Sequence, residues 1–164
     1  MSWRERITDV YSTRTCPPGI AGRPDFYPPA SEAQLADAEA ALGAALPDSL
    51  RSLLKETDGV MDMLALDGGE WFESMWLLWA IGELVQQNRY YRAASQRQEY
   101  ERDFDGLVFF ADAGTDGIRF AFPVEDGVCA PLVLIWHPIM DRLSEAAPSL
   151  DAFLRGWLTG SISV

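Results

Sequence analysis

A chain of 164 residues with 48% hydrophobic and 23% charged side chains is sized and composed for one globular domain with a sizeable core. No apolar run approaches the ~18 residues needed to cross a bilayer. The net charge of −12 sets up a field that repels nucleic acid and anionic lipid, and it either speeds encounter with a basic partner or serves solubility alone.

The acidity is uneven. Residues 1–60 hold 6 bases and 9 acids, whereas residues 61–164 hold 7 and 16. Residues 58–73 contain Asp58, Asp62, Asp67, Glu70 and Glu73 with no base, and residues 99–126 contain eight acids against Arg102 and Arg119. The N-terminus has basic residues but no apolar stretch behind them, so it does not read as a signal peptide. Cys16 and Cys129 are the only cysteines, which suits free thiols in a reducing compartment. The cytoplasm is the expected location.

In chain order, residues 1–28 read as an irregular N-terminal segment apart from a short helix at the start. Pro17, Pro18, Gly19, Gly22, Pro24 and Pro28 interrupt any period, and Ile20, Phe26 and Tyr27 suggest an extended path over the domain. A helix starts at Ser31, whose hydroxyl and the amide of Gln34 form a capping-box pattern. Leu35, Ala38 and Leu42 share one face, and Gly43 supplies the left-handed end. A second helix opens at Leu46-Pro47, buries Leu50, Leu53 and Leu54, and ends at Asp58-Gly59. The two form a helical hairpin.

Asp67-Gly68-Gly69 reads as a turn, and the aromatic-rich stretch from Trp71 to Trp79 as a strand or strand pair. Ile81, Leu84, Val85 and Asn88 return to helical spacing. Beyond them an antiparallel meander is expected. Its strands are at Leu107 to Phe110, Ile118 to Phe122 and Leu132 to Trp136, with turns at Asp116-Gly117 and Asp126-Gly127. A last helix, capped by Ser149, buries Leu150, Phe153, Leu154, Trp157 and Leu158. Helices first, strands next and a helix last argue for an α+β fold around a mainly antiparallel sheet, as a single domain over residues 1–164.

Convergent chemistry is scarce. His137 is the only histidine, and a general base needs partners that the sequence does not supply. Neither the cysteines nor His137 have metal-ligand spacing. Asp103-Phe104-Asp105-Gly106 and Asp112 to Gly117 lack the full calcium-loop pattern, and turn formation explains their Asp-Gly pairs better. Neither a nucleophile elbow nor a phosphate loop is present. No cofactor and no metal are expected. Trp79, Trp136 and Trp157 are expected in the core. Trp71, after the turn and among carboxylates, is instead a candidate anchor for a basic protein surface.

Residues 29–59 carry a resemblance. Pro29, Ser31, Leu35, Glu39, Leu42-Gly43, Leu46-Pro47, Leu50, Leu53-Leu54 and Asp58-Gly59 resemble the opening of the SUKH superfamily, which takes in fungal cell-wall-synthesis regulators and many bacterial immunity proteins. Leu84, Asn88, the Leu107 to Phe110 strand, Val133, Trp136 and the Ser149-Leu150, Phe153-Leu154 helix are also similar. The resemblance implies an α+β fold, a binding function without catalysis or cofactor, and, for bacterial members, neutralisation of a toxin, often a nuclease or deaminase.

The expectation is therefore an immunity-type protein that binds a basic toxin domain through Asp62, Asp67, Glu70, Trp71, Glu73, Asp112 and Asp116. Two alternatives stay open. One is a regulatory or scaffold protein with an endogenous partner, and the other a small hydrolase or transferase using dispersed acids and His137.

Overall fold

The computed structural model describes all residues, Met1–Val164. Its architecture is α+β, with five helices and eight strands whose ladders are antiparallel throughout. The strands form two sheets.

The N-terminal segment is more regular than its sequence suggests. Helix α1 (Trp3–Thr13) opens with a capping box between Ser2 and Glu5. Strand β1 (Ile20–Phe26) then pairs along its whole length with β2 (Val60–Leu66). The expectation of an irregular segment over residues 1–28 is thus corrected. Gly22 and Pro24 obscured the strand, yet both are tolerated because β1 lies at the edge of its sheet, where one row of backbone groups needs no partner. Thr57 fastens the end of this strand, its hydroxyl accepting from the Tyr27 N–H at 2.9 Å and donating to the Gly59 carbonyl at 2.8 Å.

Helix α2 (Glu32–Leu42) has the Ser31–Gln34 capping box and ends at Gly43 with φ 67°. Helix α3 (Asp48–Leu54) follows Pro47 and buries Leu50, Leu53 and Leu54. Ion pairs from Arg51 and Lys55 to Glu32 tie these two helices together. Strand β3 (Trp71–Leu78) completes the first sheet in the order β1-β2-β3.

Helix α4 (Ile81–Gln96) lies beside α2. Its start is secured by Asp58, which accepts from the Ile81 N–H at 2.7 Å. Asn88, fully enclosed, donates to the Phe109 carbonyl at 2.8 Å and accepts from the Phe109 N–H at 2.9 Å. One amide side chain thereby satisfies both backbone groups of a strand residue.

The second sheet runs β4 (Leu107–Asp112), β5 (Arg119–Glu125), β7 (Val133–His137) and β8 (Arg142–Ala147), with the short β6 (Val128–Cys129) paired to β5. The β5–β6 hairpin turns on Asp126 and Gly127, both at positive φ as the Asp-Gly pair foretells. Strand β8 went unread in the sequence because its Arg-Leu-Ser-Glu-Ala-Ala run is polar and mostly exposed. Helix α5 (Leu150–Thr159), capped by the Ser149 hydroxyl, packs on α1 and β8. The Trp79 N–H donates to the Phe110 carbonyl at 3.0 Å, joining the sheets at the end of β3.

A core of 40 buried residues fills the space between these elements. Two aromatic groups dominate it. Tyr91, Phe104, Phe109 and Trp136 meet with ring centroids 4.9–5.7 Å apart, and Phe110, Phe120, Phe122 and Phe153 with centroids 4.4–5.4 Å apart. Such edge and offset contacts add to the stabilisation from burial alone. Trp79 and Trp136 are core residues as expected, while Trp157 is only partly covered at its edge.

Candidate functional site

The β2–β3 hairpin projects from this core. Its turn is closed by the Gly69 N–H donating to the Leu66 carbonyl, with Asp67 and Gly68 at positive φ. The first four residues of β3 are exposed on both sides of the strand, and only its last two are buried. Trp71 is 40% and Phe72 45% exposed, large values for side chains that burial normally favours.

The strand register sorts the side chains into faces. Arg23, Met63 and Glu73 lie in one row across the sheet, and Ala21, Ala65 and Trp71 in the next. A third row holds Asp25, Met61 and Trp76. These residues make up the outer face, since Ala21, Arg23 and Asp25 are the exposed set of the alternating β1 pattern. The opposite face holds Asp62 and looks toward α1.

Four of the acids and aromatics singled out from the sequence come together here. Asp67, Glu70 and Glu73 flank Trp71 around the hairpin, and none of the three takes part in any of the nine ion pairs. The Arg23 guanidinium lies over the Trp71 ring at 4.7 Å from its centroid. Tyr27 packs on Trp76 with centroids 5.0 Å apart. Desolvation, followed by the charges of Glu73 and Asp25, raises the Tyr27 phenol above its ordinary pKa, which registers both carboxylates on this face.

The other expected contact residues fall elsewhere. Asp62 is a correction: it is buried, accepting from the Tyr11 hydroxyl at 3.0 Å and the Arg14 guanidinium at 2.7 Å. Burial, then the Asp62 charge, drives the Tyr11 phenol far above its ordinary range. This group anchors α1 to the sheet and offers nothing to a partner. An acid in an apolar strand reads as exposed until the base that pairs with it, 48 residues earlier, is placed beside it. Asp112 has both oxygens engaged, by the Trp79 indole at 3.1 Å and the Gly114 N–H at 2.8 Å. Asp116 is exposed at the β4–β5 turn with φ 52°. That turn reaches β3 at Met75, on the face opposite Glu73, so neither residue joins the outer face.

Arg23 and Asp25 lie on β1 and Tyr27 directly follows it, and Gly22 and Pro24 hide that strand in the sequence. The alternation of Ala21, Arg23 and Asp25 with Ile20, Gly22, Pro24 and Phe26 was the available signal.

His137 is buried at the end of β7 and lines a groove of about 300 Å³ with Asp116, Ile118, Ile139, Met140 and Arg142. Its ring makes no hydrogen bond to another side chain, so it lacks the orienting group of a nucleophile–base pair. Cys16 and Cys129 are free, and burial pushes the Cys129 thiol up to about 11. No group of three or more His, Cys, Asp or Glu side chains is placed to hold a metal ion. No helix is long and apolar enough to cross a membrane.

A comparison with protein families matches residues 29–156 to the model described as the SMI1 / KNR4 family (SUKH-1). The chain belongs to the SMI1 / KNR4 family. Members of this family are generally non-enzymatic domains of the immunity and regulatory kind, and membership points to protein–protein interaction. No curated protein matches the chain. The family span begins after β1, so α1 and β1 lie outside it, and Arg23 and Asp25 of the outer face come from beyond the matched region.

Proposed function

We propose that this SMI1 / KNR4 family domain is an immunity-type protein that binds and neutralises a basic toxin domain, of nuclease or deaminase type, without catalysing a reaction. The observation that carries this reading is the exposed Trp71 amid Asp67, Glu70 and Glu73, carboxylates that have no internal counter-ion. An aromatic anchor can bury a large, rigid area at an interface, and the surrounding acids would steer a basic surface onto it. Acids kept for structure, such as Asp58 and Asp62, are satisfied internally. Those at the hairpin are left to solvent.

The test is co-expression with the product of a neighbouring toxin gene. The expected result is a complex that survives purification and protects cells from the toxin. The association rate should fall steeply with ionic strength, since steering is screened over about 8 Å at physiological salt. Absence of a complex at micromolar concentration, together with absence of protection, would refute the toxin reading.

A further inference from the structure

Met61, Met63 and Ala65 are buried, yet they stand outside the main core. They form the centre of the outer face of the β1-β2-β3 sheet, between the Ala21, Arg23 and Asp25 rim on β1 and the Trp71, Glu73 and Trp76 rim on β3. Side chains on this solvent-facing side can be covered only by neighbours on the same face. The cover is made of the Arg23 and Glu73 side chains and the Trp71 and Trp76 rings over a floor that holds two flexible methionines, a composition suited to adapting to a partner.

Arg23 is the informative member. It has carboxylates on its own strand and across the sheet, but it makes no ion pair. Its guanidinium instead occupies the face of Trp71. An exposed cation–π contact of this sort is weak, so a competing guanidinium can displace it. Asp25, Asp67, Glu70 and Glu73 leave the surroundings negative even with Arg23 in place.

Building on the protein-binding reading above, we propose that the outer face of the β1-β2-β3 sheet docks an arginine-bearing basic segment of a protein partner, with Trp71 as the platform for the incoming arginine and Arg23 as its resident occupant. The planar guanidinium suits the indole face, while the nearby carboxylates accept its N–H groups; a lysine ammonium satisfies only the second demand. Docking proceeds through side chains on the face. Strand addition at the free edge of β1 is disfavoured by Pro24, which has no N–H to offer a ladder. Arg23 and Asp25 precede the family span, whereas Trp71 and the hairpin carboxylates lie within it.

The experiment titrates the isotopically labelled full chain with nona-arginine and nona-lysine peptides at low salt, following amide and indole signals. The expected shifts centre on the Trp71 and Trp76 indoles and on residues 21–27, 61–65 and 71–76. Nona-arginine should bind about 5-fold tighter than nona-lysine, and Trp71→Ala should erase that preference. Arg23→Ala, which removes the competitor and one positive charge, should tighten arginine binding about 3-fold. Asn at Asp103, Asp105 and Asp126 should change affinity by less than about twofold, because exposed charges at a distance are screened. Shifts centred on residues 99–126, or weaker binding by Arg23→Ala, would overturn the proposal.

The same variants tested against a toxin complex separate the two readings. A complex indifferent to Trp71→Ala and Arg23→Ala sinks the docking face and leaves the toxin reading standing. Peptide binding at the face without any toxin complex does the reverse.

Discussion

The two sheets of this protein put similar residues to opposite uses. In the second sheet, β4 is buried from Leu107 to Ala111, with helices and aromatic rings on both sides. In the first, β3 begins with four exposed residues, two of them aromatic. Trp136 sits among four other rings and donates its indole N–H to Asp141 at 3.2 Å. Trp71 is exposed to solvent, lies under the Arg23 guanidinium and pairs across the sheet with Ala65. The acids divide in the same way: Asp58, Asp62 and Asp112 complete hydrogen bonds inside the fold, whereas Asp67, Glu70 and Glu73 are free of ion pairs. Composition therefore does not distinguish the acids that hold the fold from those left to solvent; satisfaction of each polar group does.

Four changes would break or sharpen this contrast. The largest effect is expected in the second sheet. Phe109→Ala should cost about 3–5 kcal/mol, the usual range for emptying an enclosed aromatic site, and denaturant unfolding would measure it. Asp62→Ala comes next. It strands the Arg14 guanidinium and the Tyr11 hydroxyl at the junction of α1 with the sheet, and should cost about 3 kcal/mol. Its loss should also increase amide exchange in α1, whereas an interface acid would leave folding untouched. Asn88→Ala removes the partner of both Phe109 backbone groups and should cost about 2–3 kcal/mol. Trp71→Ala should move stability by less than about 1 kcal/mol, in keeping with an exposed site that loses one cation–π contact. A larger loss would mean that Trp71 is a core residue and the comparison is wrong.

A pH experiment probes the buried thiol. Burial raises the Cys129 thiol from 9.0 to about 11. Between those values the folded state keeps a proton that the unfolded chain has released. Stability is then fully present below pH 9 and declines as pH rises toward about 11. Tyr11, also raised by burial, contributes in the same direction at the alkaline end. Cys129→Ala should flatten part of this decline in unfolding curves taken at successive pH values.

Much of the fold was legible in the chain because its signals are local. The Ser31–Gln34 capping box, the Gly43 terminator, the Asp-Gly turns and the Leu150, Phe153, Leu154 stripe each depend on neighbours within a few residues. Those rules hold before any tertiary contact forms. The resemblance to the family rested on the same local features and is matched over residues 29–156.

What the sequence could not decide depends on partners far along the chain. The seven-residue strand β1 exists because β2 supplies its ladder, which overrides the poor strand propensity of Gly22 and Pro24. Asp62 and Glu73 lie in adjacent strands with the same charge, and only the register turns one toward Arg14 and the other toward solvent. A pleated sheet reverses every side chain on a shift of one residue. Local pattern thus determined helices α2, α3 and α5, the Asp-Gly turns and the acidic character of residues 58–73. Tertiary pairing alone decided which of those acids are consumed in holding the fold and which remain exposed beside Trp71 without an ion pair.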